Sequence, residues 1–235
     1  MEKKNIFKWK HYQPDIILLT VRWYLRYNLS FRDLVEMMEE RGLSISHTTI
    51  MRWVHQYGPE LDKRIRSHLK QTNDSWRVDE TYIKVKGQWM YLYRAVDSKG
   101  NTIDFYLSKT RDQKAAKRFF KKALQSFHVS KHRVITVDTN PAYHIAIEQL
   151  KKEKSIPGGM RLREQKYLNN IVEQDHRFIK KRIRSMLGFK YFDTATSILS
   201  GVEVMHMIKK EQVDLRDQSV QNQKEFIHQL FRLAA

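Results

Sequence analysis

Between Pro14 and Tyr27 the apolar residues Ile16, Ile17, Leu19, Trp23, Tyr24 and Tyr27 recur at helical spacing, with Pro14 and Asp15 in the first turn. Ser30 is placed to cap a second helix over Phe31–Arg41, whose inner face carries Leu34, Met37 and Met38, and Gly42 ends it. Ser44 or Ser46 caps a third helix reaching Tyr57, with Ile50, Trp53, Val54 and Tyr57 inward, and Gly58-Pro59 closes the unit. A helix followed by two short helices around a tight turn predicts a helix-turn-helix unit over residues 1–59.

Residues 60–73 read as a polar helical linker with Lys63, Arg64, Arg66 and Lys70 exposed. The period then changes to two. Trp76–Val85 alternates as a strand, Lys86-Gly87-Gln88 turns, Trp89–Val96 returns, and Asn101–Leu107 follows the turn Asp97-Ser98-Lys99-Gly100. Helix Asp112–Phe127, buried strand Arg133–Val137, helix Pro141–Lys151, the loop Pro157-Gly158-Gly159 and the long helix Asn169–Arg184 complete the order β-β-β-α-β-α-(β)-α. A meander followed by α/β crossovers predicts an α/β core over 74–188, a mixed sheet with helices on its faces. The remainder, 189–235, is helical over Thr194–Ile208 and Lys224–Leu233.

The 235 residues contain 44 Lys+Arg against 26 Asp+Glu, a net charge of +18, which favours polyanionic partners and above all nucleic acid. The absence of cysteine excludes disulfides and Cys-based zinc sites. The longest apolar run is Trp89–Tyr93, too short to span a bilayer, and MEKKNIFKWKHYQ lacks the apolar block of a secretory signal. The expectation is a cytoplasmic, DNA-associated protein without membrane contact. The Trp and Tyr residues of Trp89–Tyr93 read as core rather than as a base-stacking platform, and Met205 and Met207 likewise as packing.

Three carboxylates are positioned to converge. Asp79 lies inside the first strand, Asp138 follows Val137 at the carboxyl end of a strand, and Glu173 stands in the first turns of the long helix. An acid within an apolar strand needs a partner or a cation, and clustered carboxylates favour hard divalent ions. Taken singly, Asp79 could pair with Arg77 or Lys84, Asp138 could cap the Pro141 helix, and Glu173 could be solvated.

The stretches Trp76-Arg77-Val78-Asp79-Glu80-Thr81-Tyr82, Val137-Asp138-Thr139-Asn140-Pro141 and Tyr167-Leu168-Asn169-Asn170-Ile171-Val172-Glu173-Gln174-Asp175-His176-Arg177 resemble the three motifs of DDE transposases of the insertion-sequence-six family. Between Asp138 and Glu173 stand 34 residues, the spacing of that family, and Met186–Lys190 and Gly201–Met207 match its downstream stretches. Thr139 departs from the Gly or Lys that many members carry. The resemblance implies a ribonuclease-H-like core in which Asp79, Asp138 and Glu173 are catalytic and hold two Mg²⁺, with Mn²⁺ as an alternative. It also implies cleavage at the ends of the element and joining of the freed 3′-hydroxyl to target DNA, typically replicatively through a cointegrate.

Arg177, Lys180 and Arg184 follow Glu173 along one helix face, suited to the backbone flanking a scissile phosphate, and Lys180 matches a basic position of the family. From Arg161 to Lys190 there are nine Lys+Arg and three Asp+Glu, a net of +6. In the front unit His47, Thr48, Thr49 and Arg52 face outward near a helix start and are candidates for reading the terminal inverted repeats. Asp97 and Asp104 read as turn and edge residues, and Asp175 and His176 as groups supporting Glu173. Strand transfer requires two ends held together, so a homodimer or larger assembly on double-stranded DNA is expected. The other classes compatible with this reading are a non-enzymatic helix-turn-helix regulator and a ribonuclease-H-like nuclease or integrase of another lineage.

Overall fold

The computed structural model describes residues 6–8, 10–126, 128–129, 133–156, 159–165, 170–186 and 188–233. Tyr167, Leu168 and Asn169 of the third motif, Leu187 of the downstream stretch and Pro157-Gly158 of the expected loop lie outside them.

Strands β1 (Ser75–Val85), β2 (Gln88–Asp97) and β3 (Thr102–Ser108) form the antiparallel meander. Lys86 and Gly87 both take positive φ, 48° and 79°, as a tight hairpin turn between twisted strands requires. Strand β4 (Val134–Val137) pairs in parallel with the other side of β1, and β5 (Arg161–Glu164) pairs in parallel with β4. The order is therefore β3-β2-β1-β4-β5, a mixed sheet as expected. Because β4 meets only Ser75–Arg77, the outer half of the β1–β2 hairpin extends beyond it.

The pleat sends alternate residues to two separate cores. On one face Trp76, Val78, Tyr93 and Ala95 pack beneath α4 (Gln113–Leu124) and α5 (Pro141–Lys152). On the other, Ile83, Val85, Leu92, Phe105 and Leu107 join α6 (Asn170–Ser185) and α7 (Phe192–Lys209). That second core continues without a break into the front helices α1 (Pro14–Arg26), α2 (Phe31–Glu39) and α3 (His47–Ile65) and the last helix, α8 (Val220–Leu230). Helix α2 starts with a capping box between Ser30 and Asp33, and Ser46 rather than Ser44 caps α3.

Three expectations are corrected. Gly58-Pro59 does not close the front unit, because α3 runs through Pro59 to Ile65. The glycine serves a crossing instead: a Cβ at Gly58 would meet the Ser197 carbonyl oxygen at 2.6 Å, so its absence lets α3 lie against α7. The contact between these helices compensates for the hydrogen bond lost at Pro59. Second, Arg64 and Arg66 are not exposed: Arg64 is half-buried, bonding Glu60 at 3.2 Å and the Leu230 carbonyl at 2.9 Å, and the Arg66 guanidinium bonds Asp104 at 2.8 and 2.9 Å and Asp62 at 3.0 Å. Asp104 is accordingly fully buried on edge strand β3, held also by Lys122 at 3.0 Å. Third, Trp89 is not core but 59% exposed, whereas Tyr93 is buried. Met205 and Met207 do pack inside, and Asp97 organises its turn by accepting bonds from the Lys99 and Asn101 amides.

Candidate active site

The cluster is built from the centre of the sheet. Alternation along β1 sends Asp79 to the α6 face and Glu80 to the α4–α5 face. Asp138 follows β4, the strand beside β1, so its carboxylate arrives at the same end of the sheet. It accepts a bond from the Asn140 amide at 3.1 Å, while Asn140 caps α5 through the Ala142 amide at 3.0 Å. The cap is thus supplied by Asn140, which leaves the other Asp138 oxygen directed elsewhere. One carboxylate oxygen each from Asp79, Glu80 and Asp138 lie within 4.8 Å of one another.

Glu173 stands exposed in the first turn of α6, outside that tight group but close enough to act on Asp79. Burial, together with Glu80, Asp138 and Glu173, pushes the Asp79 carboxyl up to about 7. The cations expected as structural partners of Asp79 do not take that role: its nearest basic neighbour is His176, with Nδ1 at 3.8 Å. Burial, reinforced by Arg94, lowers His176 to about 3, so this imidazole is neutral at pH 7. A site of convergent carboxylate oxygens, one of them raised by its fellow acids, fits a hard divalent cation.

Two residues of the cluster escaped the sequence reading. Glu80 accepts bonds from Tyr143 Oη and Arg111 Nε, and Arg111 reaches Asp138 Oδ2 at 3.5 Å. The signal for Glu80 was an acid adjoining Asp79 in an apolar strand; Arg111, in the segment before α4, carried none. Beneath the acids lies a buried network. Arg94 of β2 pairs with Asp175 at 2.6 Å and with Glu203 of α7 at 2.7 Å, and Asp175 also takes His206 at 2.6 Å and Lys210 at 2.5 Å. Asp175 therefore holds α6 against the sheet.

The basic candidates fall into two places. Arg177, Lys180 and Arg184 lie exposed on the same helix as Glu173, whereas Arg182 turns inward to the Tyr24 and Leu29 carbonyls. In the front helices His47, Thr48 and Arg52 are exposed, but Thr49 is half-buried with its hydroxyl 2.9 Å from Ser46 Oγ.

A family model described as a DDE domain matches residues 73–212. The transposase for insertion sequence-like element IS431mec of Staphylococcus aureus (strain Mu50 / ATCC 700699) is 38% identical over 207 residues, covering 88% of this chain and 90% of that protein. The chain belongs to the insertion-sequence-six family of DDE transposases. The transposase for insertion sequence element IS257 in transposon Tn4003, also of Staphylococcus aureus, is likewise 38% identical over 88% of this chain and 90% of its own. Among solved structures, the HTLV-2 integrase catalytic core domain in complex with magnesium (trimeric form) is 17% identical, covers 56% of this chain and 84% of that chain, and has a TM-score of 0.42. The transposase is a DNA-cleaving and strand-transfer enzyme by family, and no described helix is long and apolar enough to cross a membrane.

Proposed function

We propose that Asp79, Asp138 and Glu173 are the catalytic acids, that they hold two Mg²⁺ (or Mn²⁺), and that the enzyme cleaves the ends of its own element and joins the 3′-hydroxyls to target DNA. The observation that carries this reading is the convergence of carboxylate oxygens from Asp79, Glu80 and Asp138 within 4.8 Å of one another; burial and the neighbouring acids raise the Asp79 carboxyl to about 7, so that it would lose its proton to solvent as a cation binds. Divalent ions bound there supply an activated attacking oxygen and stabilise the leaving one. Asp79 and Asp138 anchor from the rigid sheet, and Glu173 closes the site from α6. Glu80, engaged by Tyr143 and Arg111, ties the middle of β1 to α5 and to the segment before α4 and is a positioning residue.

Arg177, Lys180 and Arg184 continue away from Glu173 and suit the phosphates flanking the scissile bond. The start of α3, with His47, Thr48, Thr49 and Arg52, is the reading element of a helix-turn-helix over residues 1–59 that binds the terminal inverted repeats, ahead of the 60–73 linker, the 74–188 core and the 189–235 segment. The long α3 and the core it shares with α7 support a recognition unit fixed to the catalytic body. Two ends must meet for transfer, so the active form is a homodimer or larger assembly on double-stranded DNA, acting in the prokaryotic cytoplasm and replicatively through a cointegrate.

The test is an assay of purified protein on labelled DNA carrying the element ends, with Mg²⁺ and with EDTA, beside Glu173→Gln. Metal-dependent nicking and joining that Glu173→Gln loses is the expected result. Undiminished product from Glu173→Gln removes that residue from the site, and product in EDTA removes the metal.

A further inference from the structure

The outer half of the β1–β2 hairpin presents an uncovered aromatic face. In the ladder Tyr82 stands opposite Tyr91 and Lys84 opposite Trp89, so all four side chains project from one side of the sheet. Helices α4 and α5 cover that side over Trp76, Val78, Tyr93 and Ala95, with Tyr91 half-buried at their margin, and leave Tyr82, Lys84 and Trp89 exposed. Trp89 is 59% exposed and Tyr82 45%, with their rings edge-on at 6.4 Å, and Lys84 Nζ lies 5.4 Å from the Trp89 ring centre. A cleft of about 650 Å³ is lined by Tyr82, Lys84, Trp89 and Tyr91 of this hairpin and by Lys180 and Arg184 of α6, although α6 packs against the opposite face of the sheet through Ile179. Its lining contains three cations and no carboxylate.

Exposed aromatic faces flanked by cations are how proteins hold single strands: bases stack on the rings while phosphates meet the charges. An apolar protein partner would cover the rings but would leave Lys84, Lys180 and Arg184 to be desolvated unpaired, whereas a polyanion satisfies both. The position also suits a strand end. Tyr82 is three residues along β1 from Asp79, and Lys180 two helical turns along α6 from Glu173, each roughly 10 Å. That is about three steps of a stacked strand at 3.4 Å per step.

We propose that this cleft binds unpaired nucleotides of the DNA strand adjoining the acid cluster, with bases stacked on Trp89 and Tyr82 and phosphates at Lys84, Lys180 and Arg184. The site rests on the reading of the protein as a DNA strand-transfer enzyme, and it adds a requirement for local unpairing beside the scissile bond. Its occupant is single-stranded DNA, whereas the start of α3 takes duplex.

The experiment compares the full chain, in EDTA, on a blunt duplex and on the same duplex carrying a five-nucleotide overhang with 2-aminopurine in place of one base. The wild type is expected to bind the overhang form about tenfold or more tightly and to quench the 2-aminopurine by stacking. Trp89→Ala should lose both the preference and the quenching while keeping blunt-duplex affinity, and Trp89→Phe should retain them. Since Trp89 is largely exposed, Trp89→Ala is expected to melt as the wild type does. Equal affinity for both DNAs, with metal-dependent nicking of duplex intact, overturns the cleft and leaves the enzyme reading standing. No affinity for either DNA together with no nicking overturns both. A change in sedimentation of the free Trp89→Ala protein, with DNA preference unaltered, would instead mean that a second copy covers this face.

Discussion

Arg94 of β2 and Asp175 of α6 form a buried ion pair at 2.6 Å. Arg94 stands opposite Asp79 in the β1–β2 ladder, and Asp175 is two residues beyond Glu173. The pair that docks α6 onto the sheet therefore sets the separation of two proposed catalytic acids. Glu203, His206 and Lys210 complete the charge balance from α7 and its C-terminal end, which makes α7 part of the same support.

Removing one member of such a network leaves the others buried and unpaired. Asp175→Asn is expected to lower stability by about 3–5 kcal/mol, read by urea unfolding. Burial pushes the Asp175 carboxyl up, but Arg94, His206 and Lys210 outweigh it and hold the group far below the carboxylate range. Its stabilisation is therefore present above the unfolded value of about 4 and is lost as the pH falls below it. An acid-unfolding profile unchanged by Asp175→Asn would show that the network is not what holds α6.

Asp79 acts in the opposite direction. Its folded pKa, about 7, is raised above the unfolded value, so its contribution is fully present below about pH 4 and is lost as the pH rises through 7. At pH 8 the metal-free protein bears a penalty on the order of 4 kcal/mol from this group. Mg²⁺ is expected to raise the Tm at pH 8 and to do so much less at pH 6. Asp79→Asn should raise the metal-free Tm at pH 8 and abolish the Mg²⁺ response. A Tm indifferent to Mg²⁺ in the wild type would argue against a preformed cation site.

The crossing of α3 and α7 depends on two glycines. A Cβ at Gly58 would sit 2.6 Å from a backbone oxygen, and one at Gly201 would sit 2.5 Å from the movable Leu25 side chain and 3.2 Å from Gly58 Cα. Gly58→Ala is expected to destabilise by about 1–3 kcal/mol, and Gly201→Ala by less, since Leu25 can shift. Equal denaturation midpoints for Gly58→Ala and the wild type would refute the close approach.

If the exposed face of α6 meets phosphates, Arg177→Ala should lower DNA affinity evenly across sequences. It should also reduce the slope of log affinity against log salt by about 0.9. A loss confined to the terminal-repeat sequence would assign Arg177 to base reading instead.

The legible part of the protein is the part written in local pattern. Period-two alternation marked β1 because its outer half buries one face and leaves Tyr82 and Lys84 exposed on the other, and capping residues marked α2 and α3 because helix ends need side-chain acceptors. Asp79, Asp138 and Glu173 stood out by type and context: an acid in an apolar strand, an acid just after one, and an acid opening a basic helix. Gly58-Pro59 misled because the same dipeptide that ends helices also permits a close helix crossing, and only the neighbour decides which. Trp89 misled because an apolar run carries no mark of where the covering helices stop.

By itself, then, the sequence determined the order of elements, from which a mixed sheet was expected, together with the three candidate acids and the basic face of α6, each of which is marked by residues near in the chain. The tertiary structure alone decided that the front helices share a core with α7 and α8, and that Glu80 and Arg111 belong to the acid cluster. It likewise decided that Arg94 binds Asp175 and Glu203, the latter across 109 positions of chain, and that a row of aromatic rings is left in water. These are contacts between surfaces brought together by folding, and a local pattern encodes the surfaces without encoding which ones meet.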